Sequence, residues 1–410
     1  MKKIAVIGAG IVGICTAFFL QKSGYKVTLF DHNQPGSETS YGHACTFADY
    51  ACVPVNSPSI YKELPSLIFK RDGPLAINLS YLLQNLPWAI NFLKNCRKDK
   101  VEYIASSLSH LLDHARLTYD QIFEEVDVSQ YVKNAEALYL YNTKQDFYSA
   151  RYSINLRKKN GVKMQVLDSN AIKEMEPNIA PVYYKGILFE GSRHTTNPLK
   201  ISQKIFNTFI DRGGFFLNNK VTSIDIINNK ITLSCENNTH DFDQIVICAG
   251  AWSKQLALMV GDSFPLDTER GYHVLFENTE KLIDRPIGWS QFGFYIIQIE
   301  EGIRSAGTVE IAGLNNRPNQ KRLKMIEKET RKLLPTLDKV KSTWLGFRPT
   351  LPDAMPIIGS SVINNKVFYA FGHQHIGWTL AAVTGKAIQY LVSDRKPNFD
   401  ISTFSPQRFN

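Results

Sequence analysis

The segment that most constrains this chain is its first thirty residues. An apolar run, Lys3 to Ile7, breaks into Gly8-Ala9-Gly10-Ile11-Val12-Gly13 and continues apolar to Leu20. Gly24 interrupts it, and a second apolar run, Tyr25 to Phe30, ends in Asp31. Short, continuously apolar strands suit a parallel sheet covered on both faces. The glycines predict a strand–turn–helix–strand unit: Gly8 for the tight turn, Gly10 for close approach of a diphosphate, Gly13 for contact between helix and strand. Ile11 and Val12 open that helix, and its N-terminus favours negative charge through free N–H groups and the dipole. Asp31 lies 31 − 13 = 18 residues past Gly13. A carboxylate there accepts hydrogen bonds from a ribose diol and repels a 2′-phosphate, which predicts NAD or FAD and argues against NADP.

Met1-Lys2-Lys3 before the run Ile4–Leu20 imitates a secretory signal. The run is punctuated by three glycines, ends in Gln21-Lys22-Ser23-Gly24 and has no Ala-x-Ala site after it, so it reads as part of the fold. The chain has 410 residues, enough for about two or three domains, and its 44% hydrophobic content excludes disorder. No internal repeat and no long block of like charge occurs. The six cysteines form no Cys-x-x-Cys pair and no zinc spacing with histidine, so no metal is expected and a reducing, cytoplasmic compartment is the default. The net charge, 47 − 38 = +9, suits an anionic cofactor, an anionic membrane surface or simple solubility and selects none of them.

Later segments repeat the strand-then-glycine pattern. Gln244 to Cys248 leads into Ala249-Gly250-Ala251-Trp252, and Val367 to Phe371 leads through Gly372 and Gly377 into a helix, Thr379 to Leu391. FAD is the longer dinucleotide and draws contacts from several such segments, which favours it over NAD. Between them, Ser57 to Arg116 reads as short helices broken at Pro58, Pro65, Pro74 and Pro87. Ser263 to Leu314 reads as alternating strands, and Gln320 to Leu334 as a basic amphipathic helix. The expected fold is α/β: a Rossmann-type domain from 1–55, 150–262 and 340–410, with a discontinuous α+β substrate domain from 56–149 and 263–339 carrying an antiparallel sheet.

With these segments in view, the chain resembles the FAD-dependent D-amino acid oxidase/dehydrogenase superfamily, most closely the bacterial D-amino acid dehydrogenases. The resemblance covers essentially the whole chain. It rests on the glycine turn with Asp31, on Glu38-Thr39-Ser40-Tyr41-Gly42-His43-Ala44 and on Cys248-Ala249-Gly250-Ala251-Trp252. Its most specific parts are Gly346-Phe347-Arg348-Pro349 leading to Pro352-Asp353, and Gly372-His373-Gln374-His375-Ile376-Gly377-Trp378-Thr379-Leu380.

The resemblance implies that Ser40 and Ala44 lie beside the diphosphate and flavin, that Val221 meets the adenine through its backbone, and that Gly372 to Leu380 follows the pyrimidine edge of the flavin. It implies that Arg348 anchors a substrate carboxylate, a task suited to two parallel guanidinium hydrogen bonds. Tyr272 resembles a position that faces the substrate, although a packed strand tyrosine fits the same pattern. Gln291, Phe294 and Tyr295 fall where pocket walls are expected. His43, His373 and His375 read either as flavin neighbours or as packed histidines. In related sarcosine and dimethylglycine dehydrogenases a histidine in a Trp-His-Ala setting carries the flavin covalently; here Gly42 replaces the tryptophan.

The implied reaction is oxidative deamination of a D-amino acid: hydride passes from Cα to flavin N5, and the imino acid hydrolyses to a 2-oxo acid and ammonia. No catalytic base is required, since the cofactor carries the redox step. Electrons would pass to a quinone-type acceptor, with peripheral contact at the cytoplasmic face of the inner membrane. The basic helix (Lys321, Arg322, Lys324, Lys328, Arg331, Lys332) and the apolar stretch Leu75 to Leu93 are the surfaces for it. An O2-using glycine, sarcosine or D-amino acid oxidase, a D-proline or D-hydroxyproline dehydrogenase, and an obligate partner subunit stay open. Nucleic acid is not an expected partner, because no basic run interleaves with aromatics.

Overall fold

Five parallel strands stand in one sheet in the order Phe215–Leu217, Lys26–Phe30, Lys3–Ile7, Gln244–Ile247, Val367–Phe371, and the antiparallel strand Ile357–Ser360 closes its edge. This computed structural model describes residues 1–61, 75–228, 230–236, 238–278 and 280–409. The strands are apolar on both sides because both faces are covered. Ile4, Val6, Val27, Leu29 and Val246 point into a core shared with helices Ile11–Lys22, Pro198–Asp211 and Gly377–Val392. Ala5, Ile7, Phe30, Ile245 and Ile247 point the other way. They meet the antiparallel strands Ser223–Ile227, Lys230–Ser234 and Thr239–Phe242 and the helix Ser253–Val260.

A second sheet of nine strands runs Val340–Thr350, Asp267–Phe276, Gly302–Ile311, Phe294–Ile299, Ile287–Trp289, Ala137–Tyr141, Lys185–Phe189, Met164–Leu167, with Leu75–Ile77 beside Gly302–Ile311. It is antiparallel apart from two parallel pairings. Its outer face carries Tyr272, Val274, Phe276, Phe294 and Ile296 against the helix Gln320–Leu333. The alternate residues Gly271, His273 and Leu275 face inward, with Arg304 and Tyr295 beside them on neighbouring strands.

Four of the six strands of the first sheet follow the sequence expectation almost residue by residue, whereas Phe215–Leu217 and Ile357–Ser360 were not expected. The second departs from it in membership. Met164–Leu167 and Lys185–Phe189, from the stretch 150–262, and Val340–Thr350, from 340–410, all hydrogen-bond into the second sheet. Alternation reports that a stretch is a strand; it does not report which distant strand will pair with it. Pro87 opens the helix Leu86–Lys94, whereas the breaks expected at Pro65 and Pro74 lie outside the described residues.

All six thiols are buried and unpaired. Among the described residues, no group of His, Cys, Asp and Glu suits a metal ion, and no helix is long and apolar enough to cross a membrane. The basic helix turns Leu323, Ile326 and Leu333 into the core, with Arg322 buried beside them, and leaves Lys321, Lys324, Lys328 and Lys332 exposed.

Candidate active site

The strands Lys3–Ile7 and Gln244–Ile247 end at one point, where main chain packs against main chain. A Cβ on Gly8 (φ +109°) would come 2.5 Å from the Cys248 carbonyl oxygen, and a Cβ on Gly13 would meet the Gly8 carbonyl at 1.8 Å. Helix Ile11–Lys22 therefore starts directly against the sheet, with Gly10 as its N-cap and no side-chain cap of its own. The Ile11 N–H donates to Ser40 Oγ at 2.9 Å. Asp31 turns its carboxylate into the same turn, accepting the Ala9 N–H at 2.7 Å on Oδ2 and the Asn33 N–H at 2.9 Å on Oδ1.

Ala249 and Gly250 (φ +54°) follow the neighbouring strand, and Val221 shares a core with Phe30 and Ile247 at the same edge. A diphosphate fits this cradle: a Cβ-free surface and a helix start with N–H groups that make no intrahelical bond. Trp252 stands at the rim, edge-on to Phe347 with ring centroids 5.8 Å apart.

A second group of residues lies where the inner face of the nine-stranded sheet meets the loop after Asp31 and the start of helix Gly377–Val392. His43, His375, Arg348, Tyr139 and Tyr295 have something in common. Each keeps accessible surface, yet each sits deep enough in protein for its charged form to be disfavoured. Side chains with both properties line an interior cavity.

Arg348 is held in place by main chain. Its guanidinium lies over Gly271, where a Cβ would be 2.4 Å from Nη2. Nη1 donates to the Thr308 carbonyl at 2.7 Å and Nη2 to the Gly307 carbonyl at 3.3 Å. These carbonyls turn toward it because the ladder shifts register opposite Arg270 and Tyr272, with Thr308 at φ +55°. Of five guanidinium N–H donors, 5 − 2 = 3 remain. Its cross-strand neighbour Glu269 supplies a counter-charge without an ion pair. Glu269 is 2% exposed and its Oε2 has no hydrogen-bond partner. Burial pushes its carboxyl up to about 7, against the lowering effects of Arg348 and Thr350.

The histidines divide. His43 stacks on Trp378 at 4.5 Å and accepts the Cys45 N–H on Nδ1 at 3.0 Å, which leaves the proton of the neutral ring on Nε2, buried and without a partner. Burial first, then the charges of Arg304, His273 and Arg348, hold it well below the ordinary histidine range. His375 is pushed down to about 4 by burial, then by Arg348 and Arg157. His373 instead packs inside the fold with Nε2 2.9 Å from Thr384 Oγ1, and burial lowers it to about 3. Thr379 Oγ1 accepts the Ala48 N–H at 2.9 Å, tying the helix start to the loop, while the Ile376 side chain sits in the core.

The structure thus gathers Gly8, Gly10, Gly13, Asp31, Ser40, Ala249 and Gly250 at one end of the parallel sheet, and His43, His375 and Arg348 around the cavity, with Trp378 packed in the core behind His43. Tyr272 is not among them. Its side chain is 1% exposed on the outer face, and its hydroxyl donates to Glu310 and accepts the Asn319 N–H at 3.3 Å. Phe294 points outward with it, and only its neighbour Tyr295 reaches the cavity side.

Sequence reasoning missed Glu269, His273, Arg304, Arg157 and Tyr50. A lone arginine inside the apolar stretch Ile303–Ala306 was a usable sign of a buried charge, and Glu269-Arg270 was another. Arg157 gave no such sign, because Arg157-Lys158-Lys159 reads as a solvated face.

The profile of the FAD dependent oxidoreductase family matches residues 3–391. A protein described as a D-amino-acid oxidase, from Bradyrhizobium diazoefficiens, is 34% identical over 418 residues, covering 100% of this chain and 99% of the relative. A D-amino acid dehydrogenase from Vibrio vulnificus is 26% identical over 401 residues, covering 95% of this chain and 96% of its own. Among solved structures, glycine oxidase from Geobacillus kaustophilus superposes with a TM-score of 0.76 at 18% identity, covering 100% of this chain and 99% of that one. L-proline dehydrogenase from P. horikoshii gives 0.75 at 18% identity, covering 100% and 97%. The chain belongs to the family of FAD-dependent oxidoreductases, and FAD is its cofactor.

Proposed function

We propose that the protein oxidises D-amino acids at Cα, giving imino acids that hydrolyse to 2-oxo acids and ammonia, and that its electrons pass to a quinone-type acceptor. The names of its relatives support the substrate class, and the observation that carries the reading is Arg348. A guanidinium fixed by two main-chain carbonyls, without an ion pair and facing a cavity beside His43 and His375, is prepared for a carboxylate.

When bound, FAD supplies the two-electron acceptor. The chain's residues have to bind, orient and keep water out. Gly307 and Thr308 hold Arg348 in one rotamer, so little side-chain freedom is lost when a carboxylate docks. His43 and His375 stay neutral and do not compete for that carboxylate. Tyr139 and Tyr295 wall the cavity, raising the worth of each polar contact inside it. For delivery to a membrane-borne quinone, Leu83, Leu86 and Ile90 offer an exposed apolar face.

The test is anaerobic addition of D-alanine, D-proline, glycine or sarcosine to the FAD-loaded protein, followed by a soluble quinone or air. D-alanine is expected to bleach the flavin, with fast recovery by quinone and slow recovery in air. Fast recovery in air makes the protein an oxidase instead, and bleaching by glycine or sarcosine alone removes D-amino acids as the substrate class. Arg348→Met should lower kcat/KM on the order of a thousandfold at unchanged FAD content, the cost of losing one side of a buried charged pair.

A further inference from the structure

A second guanidinium reaches the same cavity. Arg157 projects from the helix Arg151–Lys159; its Nε donates to the Tyr50 carbonyl at 3.3 Å, and its guanidinium stands 5.8 Å from the centroid of the Phe189 ring. Tyr50 stacks on Phe189 at 4.0 Å and donates its hydroxyl to that of Tyr295 at 3.1 Å. Tyr295 follows Phe294, the strand partner of Gly307, and Gly307 holds Arg348. A continuous wall therefore joins the two arginines: Arg348, Gly307, Tyr295, Tyr50, Arg157. His375 feels both charges.

Arg157 differs from its helix neighbours. Lys159 pairs with Glu102 at 3.2 Å and Arg151 lies over Tyr148. Arg157 has no carboxylate within ion-pair distance among the described residues, and its remaining bond, from Nη1 to the Ser153 carbonyl, is long at 3.5 Å. Setting a partly buried guanidinium among aromatic rings without a counter-ion is costly, and an anion that arrives with the ligand offsets that cost.

We propose that Arg157 binds a second carboxylate, so that the preferred substrates are acidic D-amino acids, the α-carboxylate on Arg348 and the side-chain carboxylate on Arg157. The inference rests on reading the cavity as an amino acid site. A neutral side chain would leave the Arg157 charge uncompensated in the closed complex, so the same residue that selects a dicarboxylic substrate rejects an apolar one.

The test uses FAD-loaded wild-type protein, Arg157→Met and Arg157→Lys, with D-glutamate, D-aspartate, D-alanine and D-methionine. In a separate arm, glutarate and butyrate are titrated against the flavin spectrum without turnover. Wild type should favour the acidic pair in kcat/KM. Arg157→Met should raise KM for them on the order of 100-fold with kcat little changed, and lower KM for D-methionine, whose side chain no longer meets an uncompensated charge. Arg157→Lys should recover part of the loss. Glutarate should perturb the wild-type spectrum at far lower concentration than butyrate, and lose that advantage in Arg157→Met.

Preference for neutral D-amino acids in the wild type, or an equal loss on all four substrates, overturns the proposal. If no D-amino acid bleaches the flavin, the proposed reaction falls by itself. The glutarate arm then still decides: selective, Arg157-dependent binding sustains the dicarboxylate site, and equal binding of the two acids removes it.

Discussion

At the end of the parallel sheet the ligand-facing surface is main chain; on the inner face of the nine-stranded sheet it is side chain. Around Gly8, Gly10 and Gly13 the Asp31 carboxylate is spent on the Ala9 and Asn33 N–H groups. On the inner face, Arg348, Glu269, His273 and Arg304 project from three adjacent strands. The difference suits the ligands proposed for the two places. A diphosphate is met by N–H groups and a helix dipole, which need close approach and therefore glycine. A small amino acid offers few atoms, so a few charged side chains must hold it. Position on the inner face is not enough, as Arg304 shows. It is fully buried, donates to the Tyr41 carbonyl at 2.7 Å and lies over the Tyr41 ring at 4.6 Å, holding the loop that carries His43. Arg348, on the same face, keeps access to the cavity.

The largest effect is expected where main chain meets main chain. Gly13→Ala puts a methyl 1.8 Å from the Gly8 carbonyl oxygen, so helix and sheet must separate. Overpacking of this kind costs about 3 kcal/mol, and the moved helix N-terminus should no longer retain FAD through gel filtration. Gly24→Ala is the control: Gly24 has φ +87° with open space around it, so it should lose on the order of 1 kcal/mol and keep FAD. Equal effects of the two substitutions on FAD content would show that the nucleotide does not depend on the close approach.

The same contrast decides what was legible in the sequence. The parallel unit is local: strand, turn, helix and strand follow one another, and Gly8, Gly13 and Asp31 meet in one turn. The arms of the second sheet come from distant segments, and Met164–Leu167, Lys185–Phe189 and Val340–Thr350 joined it although they were expected with the nucleotide-binding part. Arg348 was reachable through a local motif. Glu269-Arg270 hinted at a buried charge, but the partner of Glu269 was not legible, because it lies in a cross-strand pairing seventy-nine residues away (348 − 269 = 79). Tyr272 turns on parity: one residue along a strand changes the face, and its side chain lies on the outer one.

Glu269 sharpens the comparison at the side-chain end, through pH. Its carboxyl titrates near 4.5 when unfolded and at about 7 when folded. Below 4.5 both states are protonated and it costs nothing. As pH rises, the unfolded chain ionises first, so stability falls through this window and the penalty is complete above 7. The size, (7 − 4.5) pH units at 1.36 kcal/mol each, is up to about 3 kcal/mol. Glu269→Gln removes the titration, so its unfolding midpoint in urea should gain on wild type from pH 4.5 to 7.5. A difference that stays flat over that range would mean Glu269 is ionised throughout and already paired with Arg348.

The smallest effect separates the two faces of one sheet. Tyr272 and Arg348 lie within a few residues of each other across the Asp267–Phe276 and Val340–Thr350 ladder, yet they point to opposite sides. Tyr272→Phe removes a hydroxyl that binds Glu310 behind the sheet, where Arg270 Nε at 3.4 Å and Asn319 Nδ2 at 2.8 Å also meet that carboxylate. With those partners remaining, the loss should be about 1 kcal/mol of stability, read from the thermal midpoint. Because the hydroxyl does not reach the cavity, kcat/KM for the best D-amino acid should change by less than about twofold. A tenfold drop at unchanged stability would place the hydroxyl on the substrate carboxylate. Glu310 would then be left to Arg270 and Asn319, and the outer face of the sheet would contribute a polar group to the substrate.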